Sequence, residues 1–75
     1  MDEVRVCFGA RLQYLRKLAG LTQHELAELA EISLDFLGLL ERGKRGPSLE
    51  TMRRLSSALD IEMYELLLFN CKEED

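Results

Sequence analysis

The 75-residue chain lacks any apolar run near the roughly 20 residues that a bilayer span needs. Its opening, MDEVRVCF, is acidic where a secretory signal would be basic. Both absences point to a cytoplasmic protein with no membrane partner. Cysteine and histidine are scarce: Cys7, Cys71 and His24 are all there are, and none is a close neighbour of another. That spacing suits no metal, so no metal and no cofactor are expected. Both cysteines read as packed or idle reduced thiols, since cytosolic disulfides are rare. With no cysteine and histidine couple, no paired carboxylates on a shared cleft and no glycine-rich phosphate loop, the chain does not read as an enzyme. Repeats, low-complexity tracts and alternating strand patterns are missing as well.

Net positive charge is also lacking. The balance is −4, which at first argues against nucleic acid, because neutralising phosphates supplies most non-specific affinity. The distribution reverses that impression. From Met1 to Ala30, four acids match four bases, and from Glu31 to Arg54 five bases face four acids. The excess sits in Leu55 to Asp75, with six acids and one lysine. An acidic end can lie away from a neutral or basic binding face.

What is present is helix punctuation, and it implies an all-α single domain spanning residues 1–75. Val4, Phe8, Leu12, Leu15 and Ala19 recur at spacings of three and four, so a first helix runs from Val4 to Ala19 and stops at Gly20. Thr22 and Glu25 form a capping-box pair that starts a second helix, Gln23 to Ala30, with Leu26, Ala27 and Ala30 inward. Ala27 leaves room for another helix to approach. Glu31-Ile32-Ser33 is a tight turn, and Ser33 caps a third helix from Leu34 to about Arg42, ended by Gly43. GKRGP is a loop by composition. Ser48 caps a fourth helix, Leu49 to Leu59, whose buried stripe should hold Leu49, Met52, Leu55 and Leu59. A fifth helix is expected from Glu62 to about Phe69, after which KEED frays.

Two short capped helices joined by a three-residue turn can brace one helix against a DNA groove. LTQHELAELAEIS followed by LLERGKRGPSLETMRRLSSALDI resembles the Cro/cI-type, Xre-like (lambda-repressor-like) helix-turn-helix regulators over about residues 8–69. The resemblance implies a five-helix DNA-binding domain whose helix-turn-helix covers about 22–42. It implies that Arg16 pairs with Glu41 as an internal salt bridge. It also implies that the start of the second helix, at Thr22 and Gln23, offers donors to a phosphate, with Lys44, Arg45 and Arg42 reaching the DNA backbone beside it.

By the same resemblance the third helix turns Ser33, Leu34, Asp35, Phe36, Gly38 and Leu39 toward base edges. This chain departs from the family there, since arginine, glutamine, serine or threonine are usual. The commonest guanine contact is missing. Leucine suits thymine methyls, and one carboxylate can accept from a cytosine amino group. Gly38 provides no side chain and weakens the helix by up to about 1 kcal/mol. Leu37 and Leu40, at the alternating spacing, are core. Phe36 either flanks the reading face or packs against the second helix. If Leu34, Phe36 and Leu39 form one patch, it suits a protein partner instead.

The stretch MYELLLF, residues 63–69, carries more apolar surface than one helix can turn inward. With Leu66 and Met63 or Phe69 buried, Tyr64, Leu67 and Leu68 are left for a homodimer interface on a C-terminal dimerisation helix of about 62–69. A two-fold dimer presents two recognition helices to double-stranded DNA, reading a pseudo-palindromic operator with half-sites roughly 34 Å apart. The expected role is a dimeric transcriptional repressor or autoregulator; the rival is an antitoxin-like module that binds a protein.

Overall fold

The computed structural model describes residues 3–71; the expected fraying of KEED lies outside them. Four helices follow in order, α1 (Glu3–Leu18), α2 (Gln23–Ala30), α3 (Leu34–Glu41) and α4 (Leu49–Leu59), and a single 3₁₀ turn at Met63–Leu67 follows them. No strand occurs among the described residues. The core gathers Phe8, Leu12 and Leu15 from α1, Leu26, Ala27 and Ala30 from α2, Leu37 and Leu40 from α3, Leu55 and Leu59 from α4, and Leu66 from the turn. α1 packs on α3, α2 lies against both α3 and α4, and the 3₁₀ turn closes between α1 and α4.

Side-chain caps fix where three helices begin. Thr22 Oγ1 accepts from the Glu25 amide at 3.1 Å while the Thr22 amide donates to the Glu25 carboxylate at 2.9 Å. Ser33 and Ser48 accept from the amides of Phe36 and Thr51, each at 3.0 Å. All four helices end the same way. A residue with left-handed backbone, namely Gly20, Glu31, Gly43 or Asp60, stops the helix. Its own amide and the next one then donate back to carbonyls of the last turn, as Gly20 does to Lys17 and Leu21 to Arg16 at 3.0 and 3.1 Å. At Glu31 and Asp60 a side chain occupies a conformation that glycine adopts more readily.

Three expectations need correction here. The fifth helix is a 3₁₀ turn: the Glu65 and Leu68 amides donate three residues back, to the carbonyls of Glu62 and Glu65, and Arg11 Nε donates to that same Glu65 carbonyl at 2.9 Å. An α-helix would have given that carbonyl to Phe69, whose amide instead donates to Leu67 at 2.9 Å. In α4 the buried arc centres on Leu55, Ser56 and Leu59, so Leu49, at the first helical position, is 73% exposed. In α1, Val4 and Ala19 are exposed, the first in the opening turn and the second past the last helical residue.

The cysteines also differ from expectation. Cys7 on α1 and Cys71 after the 3₁₀ turn form a disulfide across 64 residues, with Cα atoms 5.9 Å apart. Their distance along the chain disguised a return of the tail to α1. Glu3 lies beside the two sulfurs, the one grouping of metal-ligating side chains among the described residues. Bonded to each other, the sulfurs offer no thiolate to a metal.

On the exposed side of α4, Glu50 accepts from Arg53 and Arg54 at 2.6 and 3.1 Å. The Arg53 hydrogen bond, then that of Arg54, lowers the Glu50 carboxyl to about 2.

Candidate nucleic-acid interface

α3 is held from behind by two devices. The first is steric. A Cβ on Gly9 of α1 would lie 2.6 Å from the Glu41 carbonyl oxygen and closer still to that of Leu40, so α1 and α3 touch backbone to backbone. Sequence reasoning missed this residue, although a glycine inside a helical pattern, about 1 kcal/mol worse than alanine, is itself a signal of close packing.

The second device is polar. Arg16 Nε donates to Glu41 Oε2 at 2.7 Å and Nη2 to Oε1 at 3.2 Å, with the two side chains 9% and 2% exposed. Arg16 Nη1 donates to the Leu21 carbonyl at 2.8 Å. Gln23 Nε2 adds a bond to Glu41 Oε1 at 2.9 Å. One carboxylate at the end of α3 is thus joined to α1 and to the first residue of α2. No buried side-chain polar atom among the described residues lacks a partner. A buried ion pair is tolerable under that condition, and removing one member leaves an uncompensated charge.

The opposite side of α3 is open. Ser33, Leu34 and Asp35 are exposed, while Phe36 and Leu39 are half-buried. Gly38 is buried, because the Arg42 guanidinium folds back over it: a Cβ on Gly38 would meet Arg42 Nη1 at 3.1 Å. The structure thus departs from the expected reading face at Gly38 and takes one of the two courses open to Phe36. Gly38 is covered, and Phe36 packs on the core with the Arg45 guanidinium 5.7 Å from its ring centre. Arg42, Lys44 and Arg45 are exposed beside the helix. Arg5 of α1 reaches the same loop, its Nε 3.2 Å from where a Gly46 Cβ would sit; sequence analysis had not connected it to this face.

At the N-terminus of α2, Thr22 and Glu25 satisfy each other, which leaves the backbone amides of Gln23 and His24 without an intrahelical acceptor. The Gln23 side chain is half-buried and joined to Glu41. Tyr64, Leu67 and Leu68 are 64%, 50% and 55% exposed around the buried Leu66.

The arrangement of a braced helix, a tight turn and an outward helix flanked by bases decides the comparison with known proteins. The helix-turn-helix family model matches residues 12–66. This chain belongs to the helix-turn-helix family. Over 57 residues it is 44% identical to the HTH-type transcriptional regulator DdrOP3 of Deinococcus deserti, covering 76% of this chain and 44% of that protein. It is 40% identical to the immunity repressor protein of Bacillus phage phi105 over 55 residues, which are 73% of this chain and 38% of the repressor. This helix-turn-helix chain thus spans less than half the length of both relatives. Among solved structures, the restriction-modification controller protein C.AhdI of Aeromonas hydrophila superposes with a TM-score of 0.81 at 45% identity. That match covers 83% of this chain and 94% of the controller. The three are named as a transcriptional regulator, a repressor and a controller protein, and the family is not one of enzymes. Among the described residues, no helix is long and apolar enough to cross a membrane.

Proposed function

We propose that the chain is a homodimeric transcriptional regulator, a repressor or autoregulator acting in the cytoplasm, that seats α3 in the major groove of a pseudo-palindromic operator. The observation that carries this reading is the contrast across α3. Its inner side is locked by Gly9, Arg16, Gln23 and Glu41, while its outer side is open between Arg42, Lys44 and Arg45. Such a helix is held well enough to present side chains to a rigid partner. The N-terminus of α2, with Thr22 and the Gln23 amide, and the loop bases Lys44 and Arg45 would hold phosphates. Ser33, Leu34, Asp35 and Leu39 would face base edges. So few discriminating groups leave part of the specificity to DNA shape.

Tyr64, Leu67 and Leu68 support a two-fold interface, since all three are apolar side chains left exposed among the described residues around the buried Leu66. The protein-partner reading of α3 loses support, because Phe36 and Leu39 are drawn half inside and Leu34 alone remains of the expected patch.

Selecting bound duplexes from a random pool tests the proposal. The expected product is a pseudo-palindrome with half-sites about one helical turn apart, bound with an affinity that falls steeply as salt rises. Absence of binding to any duplex at low salt would overturn it.

A further inference from the structure

We infer that Arg42 supplies the base-reading guanidinium that α3 lacks, laid across the helix through the opening left by Gly38, and that its target is a guanine edge in the major groove. The inference rests on the proposed seating of α3 and deepens it.

Arg42 follows Gly38 by four residues, so the two share one helix face. Side chains on a helix slant toward its N-terminus, which carries the Arg42 side chain back over the preceding turn. There the guanidinium meets the glycine, with Nη1, Cζ and Nη2 at 3.1, 3.8 and 3.9 Å from the site of the missing Cβ. A Cβ at 38 would press on Nη1, so the guanidinium would have to shift outward by a few tenths of an ångström, and a longer side chain would displace it further. The helix-weakening glycine thus has a spatial reason: it lets a residue at the end of α3 act near its middle.

The other arginines carry contacts of their own, Arg5 among them. Arg16 is bound to Glu41 and Leu21, and Arg53 and Arg54 are bound to Glu50. Arg11 is engaged by Glu65 and the Tyr14 ring, and Arg45 rests against Phe36. Arg42 is exposed and makes no ion pair among the described residues. Its donors are therefore available. A planar guanidinium with parallel N–H groups matches the O6 and N7 acceptors of guanine in the major groove, which an ammonium meets only as a point charge.

The test compares duplexes selected by the wild type with their binding by Arg42→Ala, Arg42→Lys, Gly38→Ala and the Gly38→Ala/Arg42→Ala double variant, each first shown to melt cooperatively. The expected result is one guanine per half-site whose replacement weakens the wild type about 10-fold or more. Arg42→Ala should no longer distinguish that base, and Arg42→Lys should do so poorly. Gly38→Ala should melt higher yet lose much of the same preference, with no further loss in the double variant.

If Arg42→Ala weakens every sequence alike and lowers the salt slope by about 1, Arg42 holds a phosphate and the inference falls. Equal binding losses from Gly38→Ala with and without Arg42 would also overturn it, because the glycine would then not be what positions the arginine. In both cases the proposed function stands. A wild type that binds no duplex overturns both.

Discussion

On the side of α3 that faces α1 and α2, Leu37, Leu40 and Glu41 are buried and their partners are fixed to within hydrogen-bond or van der Waals distance. On the other side Leu34 and Asp35 stand in solvent, and the positive charges beside them come from Arg42 and Arg45, past the last residue of the helix. The comparison teaches that placing a recognition helix and reading with it are separate problems. Placement needs contacts that tolerate almost no change. Reading needs only groups at the surface, which can be exchanged at little thermodynamic consequence.

The sharpest way to break this division is Gly9→Val. Its side chain would collide with the Leu40 and Glu41 carbonyls, which are backbone and cannot rotate aside. Against a total stability of about 5–15 kcal/mol for a typical domain, loss of the α1–α3 seat should abolish the cooperative thermal transition seen by circular dichroism. A variant that melts like the wild type would show that α3 is not held there.

Next in size is Arg16→Ala. It strands the Glu41 carboxylate and removes the bond to Leu21, so a loss of about 3–5 kcal/mol is expected in denaturant titration. Replacing both members, as Arg16→Met with Glu41→Leu, should recover much of that loss, because no buried charge is then left alone.

Reducing the Cys7–Cys71 bond sharpens the comparison from outside α3, since Cys7 precedes the Phe8 and Gly9 contacts by one and two residues. Opening a link across 64 residues should lower stability by about 2–4 kcal/mol, read as a lower melting temperature in dithiothreitol. Cys7→Ser should melt at that lower temperature with or without reductant. The smallest effect belongs to the front. Leu34→Ala should change stability by less than about 0.5 kcal/mol while altering which duplexes are retained in a binding selection.

Much of this was legible because it is local. Thr22 with Glu25, Ser33 and Ser48 announce helix starts through bonds to amides three residues on, and the same short range fixes the spans of α2 and α4. The approach of Arg16 to Glu41 came from resemblance, since nothing local joins residues 25 positions apart. What escaped depends on distant segments. Gly9 is meaningful only beside the carbonyls of α3, and the cysteines only beside each other. The C-terminal segment has an apolar pattern that fits an α-helix, yet its amides bond three residues back, and Arg11, far back in α1, shares the Glu65 carbonyl. Gly38 read as a gap in the reading face until the course of the Arg42 side chain showed what fills it.

The bond between Cys7 and Cys71 has a topological consequence. While it is intact, every residue from one sulfur to the other belongs to a closed covalent circle containing all of α2, α3 and α4. A protease that clipped the GKRGP segment would linearise this circle without freeing a fragment, and the two pieces would part only after both denaturation and reduction. The same circle marks that segment as a place where new chain ends could be opened once the old ones are joined.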